Sequence, residues 1–178
     1  MDLLQIFFST FHASYASINS FNFLINNLNF IDYKYSLNLS SIYFIFDIVY
    51  LFNNRNNKTN RQMIYHHIIA ISCIQINLLN QENICINTMA LLFLSEITTI
   101  PLNICWILNE KKKVDNLLFK LCGISTLLLY IPCRILLFPY CSHIAFTNNY
   151  NIQGMLLLTY TGLNINWYRR LLNKFLNI

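Results

Sequence analysis

Six apolar runs, parted by short polar linkers, constrain this chain more than any other feature. They extend from Leu3 to Ile25, Leu37 to Phe52, Met63 to Leu79, Ile84 to Leu108, Leu117 to Tyr140 and Ile152 to Trp167. A helix that crosses a bilayer needs about 20 mainly apolar residues, within a range of roughly 17 to 25. The first run is the weakest, thick with Ser and Asn, and the second is short without its flanks. The linkers "NNRNNKTNR" (53–61) and "NEKKKVDN" (109–116) are too polar for hydrocarbon, and 141–151 contains no Lys or Arg. None could hold a soluble domain, and no internal repeat is visible. The expected fold is all-α: a single multi-pass transmembrane helix bundle over residues 1–178. It has about six helices, or five spans if the N-terminal run only lies on the surface.

Composition closes off the alternatives. Hydrophobic residues make up 56% of the 178 and charged ones 11%, where an ordinary soluble domain carries about 25% charge. So little charge could not clothe a soluble core of this size. With 3 Gly and 3 Pro, a loop-rich all-β fold is also disfavoured. A net charge of +5 would suit nucleic acid, but the cations fall in clusters between the apolar runs. That is the distribution of membrane loops, so no nucleic-acid partner is expected. Met1 is followed by Asp2 with no basic stretch, and no secretory signal peptide is apparent. The wealth of Asn and Ile reads as the product of an AT-rich genome.

The same clusters orient the bundle. Arg55, Lys58 and Arg61 lie between runs two and three. Lys111, Lys112, Lys113 and Lys120 lie between runs four and five or just inside the fifth, and Arg169, Arg170 and Lys174 follow run six. With six crossings all ten share one side, against Lys34 on the other. The positive-inside rule then puts both termini in the cytoplasm.

Cys73, Cys105, Cys122 and Cys133 lie inside apolar runs, where a thiol serves as a small hydrophobe. Cys85 and Cys141 fall at segment ends that share a side, which leaves a bridge between them open. There is no CxxC and no zinc-type spacing.

An ionisable residue inside a membrane helix is costly unless it meets a partner or a cavity, so it reads as functional by default. The runs contain Asp47, His66, His67, Glu96 and Arg134, with His12 in the first; Asn103 and Asn164 add buried amides. Taking about 1.5 Å of rise per residue, Asp47, His66, Asn103 and Asn164 lie roughly 5–8 Å below the basic face. They would form a polar funnel opening there, with Glu96 deeper. Each also has a plainer reading. Asp47 shares a helix face with Tyr43 and Tyr50 and could bond a neighbouring helix. His66 and His67 stand about 100° apart on a helix, so at most one meets a ligand while the other packs. Arg134 could snorkel to the interface, or pair with Glu96, although their estimated depths differ by about 9 Å. Glu96, Thr99 and Asn103 share a face, and Pro101 frees backbone carbonyls beside them. Trp167 with Arg169 and Arg170 is an interfacial belt. His66, His67 and Glu96 converge poorly as metal ligands, so neither a metal nor another cofactor is expected. Gly-rich phosphate loops and Ser–His–Asp sets are absent.

In order, "YFIFDIVYLF", "YHHIIAIS", "SEITTIPLNICWIL", "YIPCRILLFP" and "GLNINWYRRL" resemble the TLC domain over roughly residues 10–172. That domain is shared by translocating-chain-associating proteins, longevity-assurance-type ceramide synthases and smaller membrane proteins. The chain is closest in character to the small ones of giant DNA viruses and protists. The resemblance picks out Asp47, His66, His67, Glu96, Pro101, Asn103, Arg134, Asn164 and Trp167, with His12 as a match near the domain start. It implies lipid binding, trafficking or membrane-lipid homeostasis, with Asp47, His66, Glu96, Asn103, Arg134 and Asn164 holding membrane lipid. It further implies an internal membrane such as the endoplasmic reticulum, or a host membrane for a viral protein. The alternative is a lipid acyltransferase that takes acyl-CoA, with His66, His67 and Asp47 catalytic. Ceramide synthases have a second, aspartate-rich block with another histidine, and the aligned stretch here, "LFLSEITTIPLN", has one carboxylate and no histidine. A third reading is a structural or chaperone-like membrane protein, for which the sequence names no protein partner.

Overall fold

The computed structural model describes residues 3–26, 29–53, 58–80 and 83–176. The expected linker residues 54–57 therefore lie outside the described residues, as does the side chain of Cys85. Six long helices make up the described chain: α1 (Leu3–Asn26), α2 (Phe30–Asn53), α3 (Lys58–Asn80), α4 (83–110), α5 (Leu117–Thr147) and α6 (Asn151–Leu176). Each helix packs on two neighbours in the cyclic order α1–α2–α3–α6–α5–α4, and α3 and α4 also meet across the ring. The fold is all-α, as expected.

Four helices are long and apolar enough to cross a membrane: Phe30–Asn53, Asn60–Leu79, Ile86–Glu110 and Leu117–Thr147. With 24 and 26 residues, α1 and α6 have the length but not the apolar average. In α1 the reason is a polar inner face. Gln5, His12, Ser17 and Ser20 point into the bundle, while Phe7, Phe11, Ile18, Phe21 and Ile25 point out. Spacings of mostly three, four and seven residues keep each set on one side of the helix. Moreover, α1 packs against all three parts of α4 rather than lying across the bundle end.

Several hydroxyls bond their own helix, whereas those of Ser17, Ser40 and Ser41 are buried without a partner among the described residues. Thr10, Ser14, Ser72, Thr126 and Thr161 each donate to the carbonyl four residues back. Most of the apolar interior gathers around Leu37, Phe44, Ile74, Ala90, Cys141 and Leu157; a smaller core of Cys105, Phe119 and Cys122 lies toward the basic end. Cys141 is a free, fully buried thiol, against the bridge to Cys85. The run expected as linker 141–151 is helical through Thr147, so this thiol is inside the bundle.

Both remaining loops are tight helix stops. Tyr150 N–H donates to Ala145 O and Asn149 N–H to Phe146 O, with Asn149 at φ 66°. Lys113 and Lys112 repeat the pattern on Leu108 and Asn109, with Lys112 at φ 53°. This is the Schellman arrangement, whose left-handed position usually takes Gly or Asn.

Two helices change their winding near mid-length. In α4 a 3₁₀ turn, Ser95–Thr98, separates Asn83–Leu94 from Thr99–Glu110. In α5 a π-helical stretch, Ile131–Leu136, separates Leu117–Tyr130 from Leu137–Thr147. Pro101 and Pro132 lack the N–H that would bond the carbonyls of Ile97 and Leu128, which loosens the ladder at both places. The two irregular stretches touch each other.

A buried ionisable cluster as candidate functional site

The ionisable residues are not spread along an open funnel; they pair with one another inside the ring. Asp47 of α2 meets His67 of α3, with His67 Nε2 2.7 Å from Asp47 Oδ2. The other carboxylate oxygen accepts a 3.1 Å hydrogen bond from Gln5 Nε2 of α1. One buried carboxylate thus ties three helices. His67 stacks on Phe44, which fixes its ring plane, and its Nδ1 has no partner among the described residues.

His66 turns the other way, toward α6. Its Nε2 lies 2.7 Å from the Tyr160 hydroxyl, and Trp167 packs on its ring at 5.2 Å between centroids. Both histidines are buried. The helical spacing therefore gives each imidazole a different partner and leaves neither at an open mouth.

Glu96 and Arg134 do pair. Arg134 Nη2 donates to Glu96 Oε1 at 3.1 Å and to Thr99 Oγ1 at the same distance, while Nε donates to Thr98 Oγ1 at 2.8 Å. Thr99 Oγ1 in turn donates to Glu96 Oε2 at 3.0 Å. Arg134 is 4% exposed, so it does not snorkel to the interface. The 3₁₀ turn supplies Glu96 and Thr98 and the π stretch supplies Arg134; the two backbone irregularities are joined through this pair.

Asn103 and Asn164 lie to either side. Asn103 donates to Ser9 and Thr10 of α1, at 3.1 and 3.0 Å. Asn164 accepts from the Tyr130 hydroxyl at 3.2 Å, and the Tyr130 ring lies under the Arg134 guanidinium at 5.7 Å. Trp167 donates to Gln62, which also accepts from Arg170. Its place at the basic end agrees with the belt reading. His12 is buried against Tyr43 with ring centroids 4.0 Å apart, within electrostatic reach of Glu96, His67 and Asp47. Among the described residues, no three His, Cys, Asp or Glu side chains are gathered as metal ligands would be.

At the centre is a cavity of about 30 Å³. Its walls are mostly apolar, with Phe44, Met89, Phe93 and Phe138 among them, joined by Glu96 of α4 and Tyr160 of α6. A half-open space of this size takes about two waters. Any larger group would require the ring to open.

A family model for the TLC domain matches residues 1–176. The chain belongs to the TLC-domain family. It is a multi-pass, integral membrane protein of that family, and its ionisable cluster is the polar interior of a TLC domain. No curated protein and no solved structure matches the chain.

Several partners escaped the sequence reading. Gln5 gave no signal, being one amide in a doubtful span. Tyr160 could have been found: it is four residues before Asn164 and seven before Trp167, and so shares their helix face. Thr98 was hidden because its orientation depends on the 3₁₀ winding.

Proposed function

We propose that this TLC-domain protein binds a membrane lipid by its polar head at the central cluster, in the service of lipid trafficking or homeostasis. The observation that supports this is the concentration of Asp47, His67, Glu96, Arg134, His66 and His12 within electrostatic reach of one another in a membrane bundle, with Glu96 lining a small cavity. Charged groups in hydrocarbon are expensive, and replacing a buried ion pair by apolar residues is often neutral or stabilising. A bundle needing only to pack would dispense with them. A headgroup brings hydroxyls, phosphate or amine, each a match for imidazole, guanidinium or carboxylate. The touching 3₁₀ and π stretches of α4 and α5 are where the ring would part, since their backbone ladders are already interrupted. The positive-inside rule places the basic end and both termini in the cytoplasm. The full chain, purified in mild detergent, should carry a defined set of lipids by mass spectrometry, and Asp47→Asn with His66→Gln should strip it. Equal lipid content in a variant that keeps its melting temperature would rule this function out.

One observation favours a second reading, acyl transfer from acyl-CoA. Asp47 accepts at His67 Nε2, which leaves the Nδ1 lone pair as a base, and a histidine oriented by a carboxylate is suited to proton transfer near neutral pH. Transfer of a labelled acyl group from acyl-CoA by membranes containing the protein, lost in His67→Gln, would establish it. Folded, abundant protein with no transfer and unchanged cellular acyl-lipid profiles would leave lipid binding alone.

A further inference from the structure

We propose that a second lipid site lies outside the ring, at its basic end, and takes an anionic glycerophospholipid of the surrounding leaflet. The site is a partly open recess of about 40 Å³ between the C-terminal parts of α4 and α6 and the start of α5. Leu102, Cys105, Phe119 and Phe175 make it apolar, and Trp106 and Lys174 stand at its mouth. It is large enough for one segment of an acyl chain lying along the bundle, not for a buried ligand.

Three features mark it as built. Lys174 is exposed, yet its Nζ is held 4.8 Å from the centroid of the Trp106 ring, over the recess. A cation–π contact of this kind fixes an ammonium that would otherwise sample headgroup water. Phe175 forms one wall by seating its ring directly on Gly123, where a Cβ would come within 2.1 Å of it. That glycine is needed for the close approach and for nothing else visible in its surroundings. In the loop after α4 and at the start of α5, Lys111, Lys112, Lys113 and Lys120 are all exposed, as are Glu110 and Asp115.

The occupant follows from charge and position. Leu117, Leu118 and Leu121 beside the recess are exposed, as befits a surface facing lipid tails. The basic end is the cytoplasmic one by the positive-inside rule, and the cytoplasmic leaflet is where anionic lipids are concentrated. An acyl chain would lie against Leu102 and Leu171 while the lipid's phosphate meets the Lys174 ammonium. Nothing in this depends on the central cluster.

The test uses the full chain reconstituted in phosphatidylcholine vesicles, with graded fractions of brominated phosphatidic acid or brominated phosphatidylcholine. Quenching of tryptophan fluorescence is read, and Trp106→Phe is subtracted to isolate Trp106. Brominated phosphatidic acid should quench Trp106 at a lower mole fraction than the neutral lipid. Lys174→Gln should weaken that preference about fivefold, the effect of one cation near the surface. Lys174→Arg should keep it. Arg61→Gln removes an equal charge from α3, at a residue that does not line the recess, and should change it clearly less than Lys174→Gln does. Equal quenching by the two lipids would overturn the proposal. So would equal losses in Lys174→Gln and Arg61→Gln, which would mean general surface charge. Loss of the preference on adding millimolar inorganic phosphate at constant ionic strength would also overturn it, because the site would then serve a free anion.

Discussion

Two charge pairs lie within the same ring, and they are built differently. Asp47 and His67 join two regular helices, α2 and α3, through an imidazole that has one ring nitrogen on the carboxylate. Glu96 and Arg134 join two interrupted helices, α4 and α5, and involve a cation that never loses its proton in a protein. Around Arg134 the fork is occupied by Thr98, Thr99 and Glu96. Around His67, Nδ1 has no partner among the described residues. A permanently charged pair, bonded to Thr98 and Thr99 as well at loosened backbone, is a latch. A pair on regular helices with a ring nitrogen left unpartnered is equipped for a ligand. The difference separates what holds the ring closed from what the ring is closed around.

The largest expected effect is on the latch. Arg134→Met leaves Glu96 as an uncompensated carboxylate among apolar neighbours, and breaking a buried pair from one side costs about 3–5 kcal/mol. Its melting temperature in detergent should fall steeply, and adding Glu96→Gln should recover much of the loss, because the stranded charge is then gone. A single variant as stable as wild type would mean that Glu96 does not need its partner, and the contrast between the pairs would collapse.

Asp47→Asn should behave otherwise. The amide keeps the carboxylate's shape and can still meet Gln5 and His67, but the charge-assisted bond to the imidazole is lost, at about 1.5–3 kcal/mol. Lipid retained through purification should drop far more than stability does, and His67→Gln should repeat the pattern. A stability loss as large as that of Arg134→Met, with lipid content unchanged, would make both pairs structural.

The two pairs were also unequally legible in the sequence. All six helices, and the ionisable members of the cluster, could be read from apolar runs and from ionisable residues within them. Which atoms meet could not. A uniform rise of 1.5 Å per residue set Glu96 and Arg134 about 9 Å apart in depth, but α4 rises faster through Ser95–Thr98 and α5 winds wider through Ile131–Leu136. The 3₁₀ turn advances about 20° more per residue than an α-helix, so four residues shift the face by roughly 80°. That is why Thr99 stays with Glu96 while Asn103, expected on the same face, bonds Ser9 and Thr10 of α1. For the histidines the obstacle was different. Helical spacing says that His66 and His67 diverge, yet only the placement of α2 and α6 decides that Asp47 takes His67 and Tyr160 takes His66. The polar face of α1 was visible as Ser and Asn enrichment, which lowered its standing as a span; the same residues are what a polar-centred ring requires of its helices.

His66 and Tyr160 are the neutral counterpart of both pairs, and the smallest effect is expected there. Tyr160→Phe removes one hydroxyl from a buried contact and fills the same space, so the loss should be about 1 kcal/mol. Tyr160 lines the cavity, and its hydroxyl lies 2.7 Å from His66 Nε2. If His67 is the histidine that serves the ligand, the variant should keep more of its lipid than Asp47→Asn does. If lipid is instead lost as fully as in Asp47→Asn, with the melting temperature hardly moved, the hydroxyl and His66 form the working contact. The Asp47–His67 pair would then join Glu96–Arg134 as scaffolding. Mass spectrometry of bound lipid beside a thermal melt of the same preparation distinguishes the two, because the comparison turns on the ratio of ligand loss to stability loss rather than on either alone.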